Sequence, residues 1–154
     1  MLIRRAEEQD ASALSAIAMA AKAHWPYTAA QLEAWRDDLT ISAELIASAP
    51  TYVAELEGEI AGFYSLIHEG QTWSLEHLWV APDQMRRGIG RALLSHAMDF
   101  AARSGAASIA VDADPYAEPF YIACGARRVG AITAPVEGDP ARQRPQLLLA
   151  IREI

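Results

Sequence analysis

Apolar positions along this chain alternate between a period of two and a period near 3.6, and the switches divide it into strands and helices. Leu2–Arg5 reads as a short strand. Asp10 then stands as N-cap of a helix that puts Leu14, Ile17, Ala18 and Ala21 on one face. His24-Trp25-Pro26-Tyr27 interrupts it, Thr28 to Gln31 forms a capping box for a helix through about Asp37, and a further helical piece runs from Ile41 to Ala47. Tyr52–Leu56 and Ile60–Ile67 are strands joined as a hairpin at Glu57-Gly58-Glu59, and Thr72–Val80 is a third strand, antiparallel to the second. Ile89, Leu93, Ala97 and Phe100 mark an amphipathic helix to Arg103, closed by Ser104-Gly105. Ser108–Ala113 is a strand that this crossover makes parallel to the third. Pro115 opens a helix to Cys124, and Arg127–Ile132 pairs with Gln146–Ile151 across an exposed loop from Pro135 to Pro145. The expected fold is one α/β domain over residues 1–154, with a mixed sheet of six or seven strands and about four helices.

Between the third strand and its following helix lies the stretch with the most chemistry, Leu78-Trp79-Val80-Ala81-Pro82-Asp83-Gln84-Met85-Arg86-Arg87-Gly88-Ile89-Gly90-Arg91. Gly88 and Gly90 remove side chains where a helix begins, so unpaired backbone N–H groups can approach an anion. The helix dipole and Arg86, Arg87 and Arg91 add attraction for phosphate. Taken alone, the stretch fits either a diphosphate cradle or an ordinary glycine loop with solvated arginines. A dinucleotide fingerprint would need a small residue where Leu93 stands, and a Walker A loop would need Lys-Ser/Thr where Arg91-Ala92 stands.

The composition narrows the classes. With 52% apolar and 21% charged residues in 154, the chain is globular and can bury a core. Its net charge of −7 argues against nucleic acid as a partner and is compatible with a cationic acceptor or with simple solubility. A single cysteine, Cys124, excludes a disulfide framework, and His24, His68, His77 and His96 show no ligand spacing, so no metal is expected. No apolar run approaches a membrane span and Met1–Arg5 lacks a signal-peptide core, so no membrane association and a cytoplasmic location are expected.

The loop resembles the acyl-CoA-binding signature of the GNAT superfamily of N-acetyltransferases, Gln/Arg-x-x-Gly-x-Gly/Ala, which falls on Met85-Arg86-Arg87-Gly88-Ile89-Gly90 with Met85 departing from the first position. Ala117-Glu118-Pro119-Phe120-Tyr121-Ile122-Ala123-Cys124-Gly125-Ala126 is similar to a second element of that family, in the right order along the chain. The resemblance implies an acetyl-CoA-dependent transferase acting on a primary amine by direct transfer, on a sheet whose parallel pair splays at the acyl-CoA site. A noncatalytic acyl-CoA sensor or interaction module on the same fold is the alternative. By resemblance Leu78, Trp79 and Val80 supply backbone contacts to pantetheine, with Val80 N–H an oxyanion donor, and Arg86 to Arg91 cradle the pyrophosphate.

Acetyl transfer to an amine needs a proton acceptor, because an alkyl ammonium is protonated near pH 7, and a donor for the departing thiolate. Glu76 shares a strand face with Leu78 and Val80 and is the candidate base, its alternative being a surface carboxylate; Ser74 could orient a water. His77 points to the other face, as a packed, hydrogen-bonded histidine. Tyr121 is the candidate acid, by resemblance near the thioester sulfur, and Cys124 is read as an inert thiol. Where the family often carries asparagine this chain has Asp112, Asp114 and Tyr116; Asp114 is the candidate for a pantetheine contact or for attracting a cation. By resemblance, the segments carrying His24, Trp25, Tyr27 and Trp35, and Glu137, Asp139, Arg142 and Arg144, border the acceptor, a small-molecule or protein amine; the aromatics fit a packed core equally. The final strands offer a surface for a homodimer.

Overall fold

The computed structural model describes residues 1–151. Seven strands form one mixed sheet, β1 (Leu2–Arg5), β2 (Thr51–Leu56), β3 (Glu59–Ile67), β4 (Thr72–Val80), β5 (Ser108–Asp112), β6 (Arg127–Thr133) and β7 (Gln143–Ala150), in the order β1-β2-β3-β4-β5-β7-β6. Among the described residues there are five α-helices: α1 (Ala11–Ala23), α2 (Ala29–Ala34), α3 (Ala43–Ser48), α4 (Ile89–Arg103) and α5 (Glu118–Ala123).

The chain clusters into two compact units, one of Met1–Leu66 with His77–Ala97, the other of Ile67–Glu76 with Met98 onward. In the first, β1, β2 and β3 pair antiparallel, and the β2–β3 turn is the predicted hairpin, with Glu57 and Gly58 both left-handed (φ 54° and 82°). The ladder carries a bulge. Ala54 lies opposite Gly62 and Glu55 opposite Ile60, which leaves Ala61 without a partner position. Leu14 and Ala18 of α1, Leu39, Ile41, Ile46, Val53 and Phe63 make the core of this unit.

The capping box of α2 forms as its sequence requires: Gln31 N–H donates to Thr28 Oγ1 (3.1 Å) and Thr28 N–H to Gln31 Oε1 (2.8 Å). Asp10 does not cap α1. Its carboxylate instead accepts from Glu7 N–H (2.8 Å) and from Arg4, which also reaches Glu55 of β2 at 2.8 Å. A two-sided guanidinium partner outcompetes the helix terminus for that side chain, and the residues Glu8–Asp10 become a 3-10 turn.

In the second unit β4 and β5 are parallel, paired from Thr72↔Ser108 to Leu75↔Val111, while β5 and β7, and β7 and β6, are antiparallel. Trp73, Ile109, Leu147 and Leu149 are fully buried there. The helix read from Pro115 to Cys124 divides: Pro115–Ala117 is a 3-10 turn capped by the Asp114 side chain on Tyr116 N–H (2.9 Å), and α5 follows. β7 begins at Gln143 rather than Gln146. Pro145 therefore lies inside a strand, opposite Ala131, and its carbonyl accepts from Ala113 N–H (3.0 Å).

Candidate active site

The sheet determines which backbone groups of β4 are free to meet a ligand. Ala81 N–H donates to Ala61 O of β3 (2.8 Å). Backbone groups of successive strand residues face opposite edges, so Trp79 C=O faces β3 with Ala81 while the N–H and C=O of Leu78 and Val80 face away from it. The β4–β5 ladder ends at Leu75↔Val111. Leu78 and Val80 thus stand in the part of β4 beyond that ladder. Trp79, expected to contribute backbone contacts, has its carbonyl aimed at β3, where a Cβ on Gly62 would lie 2.7 Å from it.

Val80 leads through Pro82–Gln84, a 3-10 turn, into the glycine loop. Arg86 and Gly88 are both left-handed, at φ 67° and 79°. For an arginine that conformation costs roughly 1–2 kcal/mol, and it turns the local peptide planes. The first intrahelical bond of α4 is Ala92 N–H to Gly88 O (3.0 Å), so the N–H groups of Ile89, Gly90 and Arg91 precede the helical ladder. Space beside Gly88 is open, with no atom within 4 Å of a Cβ placed there. Arg86 and Arg87 are exposed and, among the described residues, enter no ion pair. Ile89 is buried and anchors the helix start; Met85 is half-buried. Exposed guanidiniums beside the amides that open a helix are chemically suited to a multiply charged anion.

On β4 itself Glu76 is exposed and Ser74, Leu78 and Val80 are half-buried, whereas Trp73, Leu75 and His77 are buried. The alternation places Glu76 as expected, on the face of Leu78 and Val80. His77 is the packed histidine. Its Nδ1 accepts from Trp79 Nε1–H (3.0 Å), it lies against Phe63, and burial lowers its pKa to about 4 despite the opposing pull of Asp38. A neutral ring accepting at Nδ1 carries its proton on Nε2.

Tyr121 of α5 is buried, in edge contact with Phe120 (5.1 Å), and its phenol pKa is driven upward, first by burial and then by Cys124. The raised pKa keeps the phenol protonated at neutral pH, the form a proton donor needs. Asp114 is already engaged: besides capping Tyr116 N–H it pairs with the buried Arg142 (3.6 Å), which donates to Ala134 O (3.1 Å). Arg144 binds Asp112 through both carboxylate oxygens (2.9 and 3.0 Å). The loop arginines expected to border the acceptor thus brace β6 and β7 against the turn after β5. The aromatic pair Tyr27 and Trp35 is also occupied, by the buried Lys22, whose Nζ sits 5.1 and 4.2 Å from the two ring centroids. Among the described residues no group of three His, Cys, Asp or Glu side chains is disposed to hold a metal, and no helix is long and apolar enough to cross a membrane.

Sequence reasoning missed Gly62. The signal was present, since a glycine inside a strand marks a bulge or a close backbone approach.

The pattern of loop, strands and helices is that of a known family, and the model of the acetyltransferase (GNAT) family matches residues 12–126. The chain belongs to that family. A streptothricin acetyltransferase of Streptomyces lavendulae is 40% identical over 63 residues, covering 39% of this chain and 33% of its own. The peptidyl-lysine N-acetyltransferase YiaC of Escherichia coli (strain K12) is 34% identical over 73 residues, 47% of this chain and 48% of its own. The GNAT chain thus matches less than half the length of either curated relative. A PaiA N-acetyltransferase from Thermoplasma acidophilum, solved in complex with coenzyme A, shares the fold over 97% of this chain and 98% of its own, with a TM-score of 0.80 and 17% identity.

Proposed function

We propose that this GNAT chain moves an acetyl group from acetyl-CoA to a primary amine by direct attack within a ternary complex. The observation that carries the reading is the continuity of the backbone: Leu78 and Val80 face away from β3 beyond the end of the β5 ladder, and the amides that open α4 follow directly. That run suits the two ends of one extended ligand, amides to be paired like an added strand and a diphosphate to be held at a helix start. Support for an amine acceptor comes from the relatives, one named for streptothricin and one for peptidyl-lysine. Support for coenzyme A comes from the PaiA structure.

In this reading Glu76, directly or through a water held by Ser74, takes the proton from the ammonium so that nitrogen can attack the thioester carbon. Val80 N–H donates to the oxyanion of the tetrahedral intermediate. The carbon–sulfur bond then breaks, and Tyr121 gives its proton to the thiolate. As the intermediate collapses the nitrogen loses its second proton to water, and the amide and free coenzyme A leave. Glu76 releases its proton to solvent and the phenolate takes one back, so one proton is released overall. Arg86, Arg87 and Arg91, with the amides of Gly88, Ile89 and Gly90, hold the diphosphate; Met85 offers that loop no side-chain hydrogen bond. Asp114 serves by fixing Arg142 and the Pro115–Ala117 turn.

The test is thiol release from acetyl-CoA with a panel of amines. Tyr121→Phe and Glu76→Gln should each lower kcat by roughly 10²- to 10⁴-fold, the usual share of general acid–base catalysis, with coenzyme A affinity intact. Full activity in both variants would remove these roles. Coenzyme A binding with no turnover across the panel would favour a noncatalytic acyl-CoA sensor.

A further inference from the structure

We propose that Gly62, in the middle of β3, is a positioning residue that sets the orientation of the Val80 amide. The inference rests on the reading of that amide as the oxyanion donor. A Cβ built on Gly62 would stand 2.7 Å from the Trp79 carbonyl oxygen, 3.3 Å from Val80 Cα and 3.1 Å from Leu93 Cδ1. Leu93 could turn aside, but the backbone oxygen can retreat only if its peptide moves. That peptide is the one that bears the Val80 N–H: Trp79 C=O and Val80 N–H share a single rigid plane and point in opposite directions.

Three features meet at this plane. The bulge leaves Ala61 outside the β2 ladder, and its carbonyl receives Ala81 N–H, pinning the chain on the far side of Val80. Trp79 is held from its side chain by the indole bond to His77. Gly62 leaves room for the carbonyl between them. With both ends fixed, any side chain at position 62 would rotate or displace the plane, and the N–H on its other edge with it. The nearest atoms to a Cβ on Gly62 belong to Trp79, Val80 and Leu93 and not to the Arg86–Arg91 loop, so the diphosphate should be bound as before.

The experiment compares Gly62→Ala with the unaltered protein for kcat, KM and coenzyme A affinity. The expected result is a kcat loss on the order of a hundredfold, the scale of a misplaced oxyanion donor, with coenzyme A affinity unchanged. Adding Leu93→Ala to that variant should not restore kcat, because the backbone contact persists; restoration would show that only packing against α4 mattered. Unchanged kcat in Gly62→Ala overturns the proposal while leaving acetyl transfer intact, whereas an unaltered protein without turnover would strike at the transfer reading itself. Should Gly62→Ala fail to fold, amide hydrogen exchange on the unaltered protein decides. Val80 N–H should exchange much faster than Ala81 N–H, which is bonded to Ala61; equal protection would place Val80 in a ladder and sink the proposal.

Discussion

Burial strips water from the His77 imidazole and leaves it neutral, with a pKa near 4 against an ordinary value of 6.5. The depressed value fixes the sign of its effect on stability. Between those two values the unfolded chain binds the extra proton, so stability must fall as pH drops from 6.5 toward 4. The share due to this residue approaches roughly 3 kcal/mol at the acid end. Denaturant titrations across that window should show His77→Gln with a visibly flatter pH dependence than the unaltered protein; parallel curves would contradict it. This residue was legible in the sequence, because a period of two sets it opposite Glu76. The indole bond from Trp79 was not, since it depends on two side chains of one strand face leaning toward each other. Lys22 was illegible for a similar reason. Aromatic residues at a helix junction fit either a packed core or a cation site, and only the fold reveals that the chain supplies the cation itself.

Among the elements, the N-terminal strand is held by charge. Arg4 of β1 joins Asp10 at 2.9 Å and Glu55 of β2 at 2.8 Å, and the Arg4 hydrogen bond, ahead of the Glu7 amide, keeps the Asp10 carboxyl below its ordinary 3.8. A depressed carboxyl contributes stability above its unfolded pKa and loses it as pH falls through the folded one. Asp10→Asn should therefore cost about 1–2 kcal/mol near neutral pH, the scale of a partly screened charge-assisted bond. The difference should shrink as pH falls below 3.8 and through the lower folded-state value, and a gap that did not shrink would assign the effect to packing. A serine- or aspartate-type cap signal thus identified Asp10 as a special position but gave it the wrong partner. The Thr28 capping box was read correctly, since both of its partners lie within one turn. The start of β7 was misplaced because Pro145 resembles a loop residue, and its strand position depends on Ala113 and Ala131, far away in sequence.

Across the whole molecule the β2–β3 hairpin, the parallel β4–β5 pair and the β6–β7 pair follow from local patterns and the crossover rule. The pairing of β1 with β2 and of β7 with β5 joins strands far apart in sequence and emerges only in the fold. Gly88 and Gly90 marked the loop by their spacing at a helix start, whereas Gly62 announced only a bulge or a close approach, and what it approaches emerged when two strands were laid side by side. The central claim is that the backbone from Leu78 to Gly90 holds coenzyme A. Calorimetric titration with acetyl-CoA and with coenzyme A, beside NAD and beside a Gly88→Val variant, tests it most directly. Valine is strained at φ 79° and fills the open space at the loop. The account predicts micromolar binding of both coenzyme A species, none of NAD, and loss of affinity in Gly88→Val. Absence of binding to either species, or full affinity in the valine variant, would contradict it.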